Sequence, residues 1–132
     1  MSDLVVVDTS VFINYLRGGS DKKSSDDTVA VLVLNNQVLL SPVVRLELLA
    51  GVRKSEAKII ERLCNAMRVV DSFAMPSECE KLLQRARGSG LLGGIPDLLI
   101  IADVLRHQAL LYTHDEKMAA LARRLGVRIL GK

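Results

Sequence analysis

The sequence contains few aromatic residues and no tryptophan. Aromatic residues make up 3% of the 132 residues, whereas hydrophobic residues make up 49%. A chain of this length is about one domain, so its core must be built from aliphatic side chains. The shortage also argues against the exposed aromatic rings on which many single-strand binders stack bases. Any nucleic acid bound here would be held mainly by charge and metal.

Cysteine and long apolar runs are scarce as well. Cys64 and Cys79 lack the spacing of metal ligands and each falls in a predicted helix, so we expect reduced thiols in a cytoplasmic protein. The apolar run at 4–7 is too short for a signal peptide. No run of ~18 apolar residues is present, so the sequence predicts no membrane span.

Neither sign of charge is in large excess. Lys and Arg total 18 and Asp and Glu total 15, for a net charge of +3. This balance is compatible with a polyanionic partner but does not establish one. If several acids gather around a metal, the remaining surface is more basic than the total indicates.

Short apolar segments alternate with helical patterns along the whole chain. We predict strands at 4–7, 38–40, 68–70, 110–113 and 127–130. We predict helices at 9–17, 28–34, 42–51, 55–67, 77–87, 96–107 and 116–125. The alternation, without internal repeats or linkers, predicts one domain over residues 1–132, an α/β three-layer sandwich with a mostly parallel central sheet.

Turn and cap residues set the predicted boundaries. Ser41 before Pro42 is typical of an N-cap followed by a first-turn proline, and Ser77 with Glu80 has the spacing of a capping box. The segments 18–27 and 88–94 are rich in glycine or small polar residues and are predicted to be loops. The helix after Pro96 is apolar nearly all round and should be the most buried.

Four isolated carboxylates lie where an apolar strand ends or in a helix near its start: Asp8, Glu47, Asp97 and Asp115. Such positions converge on one edge of a parallel sheet. Clustered carboxylates repel one another unless a cation lies between them, and hard oxygen ligands favour Mg²⁺ or Mn²⁺. The pattern therefore predicts a divalent metal site and metal-assisted phosphodiester cleavage.

Each acid also has a structural explanation. Asp8 and Asp115 could cap helices, Asp97 could interact with a helix dipole, and Glu47 could pair with an arginine. For Asp8 the functional explanation is favoured, because neighbouring hydroxyls could cap the helix instead. The repeated placement of the four acids is more informative than any one of them.

Four segments that contain these acids resemble the motifs of PIN-domain ribonucleases, particularly VapC-type toxins of toxin–antitoxin pairs. They are residues 5–16, 41–51, 97–102 and 113–115, in the family's order and with similar separations. The resemblance implies an Mg²⁺- or Mn²⁺-dependent endoribonuclease with Asp8, Glu47, Asp97 and Asp115 as its acidic pocket. Asp8 and Asp97 would be the surest direct ligands.

The resemblance also implies supporting residues and partners. Thr9, Ser10 and Thr113 would orient carboxylates or waters, and Asn14 would help to position the first motif. The partners would be RNA, with transfer RNA as the family-based expectation, a cognate antitoxin protein and a second copy in a homodimer. Two departures are Pro96, where the family commonly has Asn, and Met118, where it often has an aromatic residue.

Other functions were weighed from the same residues. An aspartic protease would need an all-β fold, and a haloacid-dehalogenase-type phosphatase would need an acid at Ser10. A receiver-like α/β module that binds a cation or a protein without cleaving anything stays open. His107 and His114 are poorly placed for an acid–base pair. By default the basic residues form a solvated helical face, some of which could follow RNA phosphates: Arg45, Arg53, Lys54, Lys58, Arg85, Arg87, Arg123 and Arg124.

Overall fold

The computed structural model describes residues 3–17, 27–70 and 74–131. In chain order the elements are β1 (Val5–Val7), α1 (Thr9–Leu16), α2 (Asp27–Leu34), β2 (Leu39–Leu40), α3 (Pro42–Gly51), a short 3₁₀ turn (Lys54–Glu56), α4 (Ala57–Asn65), β3 (Arg68–Val69), α5 (Pro76–Ala86), α6 (Ile95–Arg106), β4 (Leu110–Tyr112), α7 (Glu116–Arg124) and β5 (Arg128–Ile129). The predicted loop at 18–27 lies, except for Asp27, outside the described residues.

All the described strand pairs are parallel. β1 pairs with β4, with Val6 opposite Leu111, and β4 pairs with β5. A second ladder joins β2 to β3, and a parallel bridge between Val5 and Val38 links the two ladders. The strand order is therefore β3-β2-β1-β4-β5, which confirms the predicted parallel α/β fold.

The central strand is covered on both faces. Val5, Val6 and Val7 are exposed by 1%, 0% and 1%, and successive side chains of a strand point to opposite faces. Helices supply the cover, since α6 contacts both β1 and β4. This arrangement gives the three layers that the sequence predicted.

Helix α6 is the most buried helix of the part that the structure describes, as predicted. Its buried residues are Leu98, Ile100, Ile101, Ala102, Asp103 and Val104. Cys64 in α4 and Cys79 in α5 are free thiols. None of the described helices is long and apolar enough to cross a membrane.

One predicted cap is confirmed and another is wrong. Ser41 caps α3, since its Oγ accepts a hydrogen bond from the Val43 backbone N–H at 3.2 Å. The predicted box of Ser77 and Glu80 does not form, because α5 begins at Pro76. The fixed φ of Pro76 suits a first helical position, and Glu78 instead accepts a hydrogen bond from the Met75 N–H at 3.0 Å.

Candidate active site

The chain reverses its direction of strand addition beside β1. From β1 it adds β2 and β3 on one side, and then β4 and β5 on the other. In open parallel sheets such a switch point leaves a crevice at the carboxyl ends of the strands, where ligands bind. Asp8 follows β1, and Thr113 follows β4, so both residues lie at this crevice.

Asp8 is buried and held by three donors. It is 7% exposed; its Oδ1 accepts from the Thr9 N–H at 2.8 Å, and its Oδ2 accepts from the Ser10 and Thr113 hydroxyls at 3.1 and 2.9 Å. Burial raises the pKa of Asp8 against the opposing effect of these hydrogen bonds, and repulsion from Asp115 raises it further. Asp8 is also the N-cap of α1, so its structural explanation is confirmed, and capping leaves it free to serve a functional role as well.

Glu47 lies in α3 and is exposed. Its Oε1 accepts a hydrogen bond from the Thr9 hydroxyl at 2.6 Å, and within the described ranges no arginine forms an ion pair with it. The arginine pairing considered for Glu47 is therefore not seen in the described part of the chain, and the carboxylate stays in contact with solvent. Thr9 instead ties Glu47 to the turn that holds Asp8.

Asp97 lies in the first turn of α6 and is partly buried. Burial raises its pKa most, followed by repulsion from Asp8, Asp115 and Glu47. All three other predicted acids are thus near enough to act on Asp97. The position of Gly93 is close as well, because a Cβ added there would lie 3.2 Å from Asp97 Oδ2.

Asp115 and Thr113 complete this edge of the sheet. Asp115 caps α7, with Oδ1 accepting from the Lys117 and Met118 N–H groups at 2.9 and 3.1 Å. The Thr113 hydroxyl accepts from the Asp115 N–H at 3.0 Å while it donates to Asp8. Thr113 therefore links the first and the fourth predicted motifs.

The four acids share an edge but do not form a closed cage. In the part of the chain that the structure describes, no three Asp, Glu, His or Cys side chains are placed to hold one metal ion together. Mg²⁺ usually binds through one or two carboxylates and completes its shell with water and substrate phosphate. The oxygen donors and the accumulated charge fit such an ion, with one or two of the four carboxylates as direct ligands.

The lone pairs of Asp8 indicate how many of its oxygen atoms could bind a cation. A carboxylate has about four lone-pair sites, and three of those of Asp8 already accept hydrogen bonds. One site remains, on Oδ1. Asp8 could therefore give a cation one oxygen without losing any of its three donors.

The remaining predicted residues lie at the margin. Asn14 is exposed on α1, and no hydrogen bond joins it to one of the four acids among the described residues. His114 is exposed; its ring packs edge-on against Tyr112, and its Nε2 lies 3.3 Å from the Tyr112 hydroxyl. Pro96 is exposed in the first turn of α6, and Met118 is buried beneath the α7 cap.

Two charged residues were missed by the sequence interpretation. Lys117, in the first turn of α7, is near enough to lower the pKa of Asp97; its place two residues after Asp115 was the available signal. Asp103 is 6% exposed in α6 and accepts a hydrogen bond from the Ser41 hydroxyl at 2.8 Å. A single acid inside an apolar helix could have identified Asp103.

The surroundings of Asp103 differ from those of the crevice. Burial raises its pKa, against the hydrogen bond from Ser41 and the charge of His107. His107 ends α6, where its Nδ1 lies 3.0 Å from the Asp103 carbonyl oxygen. Asp103 thus fastens α6 to the start of α3, which makes it a structural acid.

The fold and the site together define a class: parallel α/β domains that carry carboxylates at the switch point of the sheet, where such folds bind ligands. Within this class, the model of the PIN domain family matches residues 5–124. The chain belongs to the PIN domain family, as its four motifs indicated. A search of curated proteins gave no match.

Solved structures show the same fold. FitAcB from Neisseria gonorrhoeae is 18% identical, with a TM-score of 0.67 and 96% of each chain covered. VapBC2 from Rickettsia felis, bound to a DNA fragment from their promoter, is 19% identical, with a TM-score of 0.71 and 96% of each chain covered. FitAB bound to an IR36 DNA fragment is 16% identical, with a TM-score of 0.71 and 96% of this chain and 94% of that chain covered.

Proposed function

We propose that the protein is a divalent-metal-dependent endoribonuclease that hydrolyses RNA phosphodiesters at the crevice beside β1. The observation that carries this proposal is the meeting of acids at the carboxyl edge of the sheet, where Thr113 joins Asp8 to Asp115 and Thr9 joins Asp8 to Glu47. Burial raises the pKa of Asp97 most, and repulsion from Asp8, Asp115 and Glu47 raises it further. Carboxylates gathered in this way favour further positive charge between them. A metal ion together with a substrate phosphate would supply it, and the PIN domain match over residues 5–124 favours a nuclease over a receiver-like module.

Each residue has a defined task in this proposal. Asp8, fixed by its three donors, and Asp97, at the N-terminus of α6, would hold the cation directly. Glu47 and Asp115 would act as further acids at the rim, each with one oxygen that accepts the hydrogen bonds described above. Thr9, Ser10 and Thr113 orient these carboxylates.

An Mg²⁺ or Mn²⁺ ion bound there would supply a more acidic water and neutralise charge on the reacting phosphate. The chain itself places acids on one side of the crevice and the ammonium group of Lys117 near Asp97. No Ser, Cys or His nucleophile is required for this chemistry. Hydrolysis of one phosphodiester bond would give two RNA fragments, each with a new end at the cut.

We further propose that the protein is a VapC-type toxin that acts in the cytoplasm and is blocked by a cognate antitoxin. The similar folds support this part, because they were solved as FitAcB, VapBC2 and FitAB, two of them with DNA fragments. A homodimer and a transfer RNA substrate belong to the same proposal. Sequencing RNA ends after brief induction in cells would identify the target.

The decisive test compares two buried aspartates. Purified wild type should cleave RNA with Mg²⁺ or Mn²⁺ and stop cleaving with a chelator. Asp8→Asn should lower the cleavage rate at least about 100-fold, the scale on which loss of one electrostatic group in an active site acts. Asp103→Asn is the matched control and should cleave within about threefold of wild type.

Circular dichroism should show that both variants are folded. Cleavage by Asp8→Asn at the wild-type rate would overturn the nuclease mechanism. Equal losses in Asp8→Asn and Asp103→Asn would show a general effect of buried acids rather than a site beside β1.

Metal binding has a separate readout. Mg²⁺ should raise the melting temperature of the wild type, because the ion relieves repulsion among the acids of the folded state. Asp97→Asn should remove most of this shift, whereas Asp103→Asn should keep it. An unchanged shift in Asp97→Asn would place the ion elsewhere.

A further inference from the structure

Three arginines meet at the ends of two helices. Gln84, Arg85, Arg87 and Arg124 line an open cavity of about 470 Å³. Arg85 lies in the last turn of α5, Arg87 follows its end, and Arg124 is the last residue of α7. We refer to these four residues as the arginine pocket.

Hydrogen bonds between the two helices orient two of the guanidinium groups. Arg85 Nη2 donates to the Arg124 carbonyl oxygen at 3.3 Å, and Arg124 Nε donates to the Arg85 carbonyl oxygen at 3.4 Å. A guanidinium group has five N–H donors, so most donors on each side chain stay available. The helices thus hold both groups beside one cavity.

The pocket lacks counter-charge. Among the residues that the structure describes, no carboxylate forms an ion pair with Arg85, Arg87 or Arg124. Cations at helix C-termini interact favourably with the helix dipoles, which accounts for single basic residues there. The dipoles do not account for three exposed guanidinium groups around a shared cavity, since these groups repel one another until an anion binds.

The pocket lies within reach of the acidic crevice. α7 runs from its cap Asp115 to Arg124, a rise of about 14 Å at the usual spacing of helical residues. Gly93, whose position borders Asp97, is six positions after Arg87, so their Cα atoms are at most about 22 Å apart. Single-strand grooves hold about four nucleotides or more, so one strand could contact both places.

We propose that the arginine pocket binds backbone phosphates of the RNA substrate, outside the bond that is cut. This inference rests on the proposed nuclease function and names where the chain holds the rest of the strand. Arginine suits the task because its planar donors match phosphate oxygens. Binding through phosphates carries no base specificity, so the pocket would contribute affinity for any sequence.

The test measures RNA binding without cleavage. In an Asp8→Asn background, a labelled single-stranded RNA is titrated by fluorescence anisotropy at several salt concentrations. Arg87→Ala/Arg124→Ala removes two pocket residues. Arg62→Ala/Arg123→Ala removes the same charge from the last turns of α4 and α7 without touching the cavity, and is the matched control.

The pocket variant should bind RNA about tenfold more weakly, and the slope of log affinity against log salt should fall by about 1.4, or 0.7 for each lost phosphate contact on a single strand. In the control variant, the loss of affinity and the change in salt slope should each be at most half as large. Arg124 also donates a hydrogen bond to the end of α5. Arg87→Glu and its control Arg123→Glu therefore repeat the comparison while leaving that bond intact.

The outcomes separate the two proposals. Suppose that the wild type cleaves RNA but both pocket variants keep the RNA affinity and the salt slope of the Asp8→Asn protein. The arginine pocket is then only a solvated surface, and the nuclease proposal stands. The same conclusion follows if pocket and control variants lose binding equally. If the background protein binds no RNA at any salt and the wild type cleaves none, both proposals fail.

Discussion

Asp8 and Asp103 are almost equally buried, with 7% and 6% exposure, yet they occupy opposite electrostatic settings. Asp8 accepts three hydrogen bonds and is repelled by another acid. Asp103 accepts one from Ser41, and the charge that acts on it comes from His107. Burial raises both pKa values, so burial alone does not distinguish a functional acid. The gathering of like charge does.

Among the residues that donate hydrogen bonds to these two acids, the largest effect should come from Thr113. Thr113→Val keeps the shape of a buried side chain but removes the hydroxyl that donates to Asp8 and accepts from Asp115. Loss of such an orienting group typically costs about 10- to 100-fold in metal affinity or activity. RNA cleavage at varied Mg²⁺ concentrations measures it; an unchanged rate would show that Asp8 needs only its other donors.

The next-largest effect concerns Asp103 and the free energy of unfolding. Ser41→Ala removes the cap of α3, worth about 1 kcal/mol, and leaves a buried acceptor of Asp103 unpaired, which costs about 1–3 kcal/mol. We expect the free energy of unfolding, measured in urea, to fall by about 2 kcal/mol.

Ser77→Ala is the control for Ser41→Ala, since Ser77 is an exposed serine in the first turn of α5. It should change the stability by less than about 0.5 kcal/mol. A loss near 1 kcal/mol would instead support the capping box that the sequence predicted at Ser77.

A smaller effect should appear in the pH dependence. Burial raises the pKa of Asp103 above the ordinary aspartate value of 3.8, so over this pH range the folded protein keeps a proton that the unfolded chain releases. Between 3.8 and the raised folded pKa, wild-type stability therefore falls as pH rises. Asp103→Asn should be more stable than wild type at pH 7, by less than the Ser41→Ala loss.

Urea unfolding of metal-free protein from pH 3 to pH 7 measures this difference. It should shrink as pH falls through the folded pKa and be smallest below 3.8, where Asp103 is protonated in both states. A difference that is constant with pH would show that the folded carboxyl titrates normally.

The sequence was sufficient for the parts of the site that depend on local pattern. Asp8 follows three buried valines, and Asp115 caps the helix that follows β4, so both could be placed at the carboxyl edge. The parallel sheet then made Asp97 and Glu47 their neighbours. Such positions follow from the strand and helix periods alone.

Other features depend on contacts between distant residues. The bond between Asp103 and Ser41 joins residues 62 apart, and no local pattern specifies it. Glu47 lies among apolar neighbours in the sequence but is exposed, and Leu46 beside it is also exposed, at 66%. Helix α5 begins at Pro76, after the N-cap Met75, although Ser77 and Glu80 match the sequence pattern of a capping box better.

The pairing of β1 with β4 has a consequence for synthesis. Val7 aligns with Tyr112, and Thr113 reaches Asp8 across 105 positions of chain. A growing polypeptide that ends before Tyr112 lacks the β4 partner of its first strand and the Thr113 hydroxyl that donates to Asp8. The complete acidic crevice can therefore form only after residues 112–115 have left the ribosome, so shorter translation products would lack the complete site.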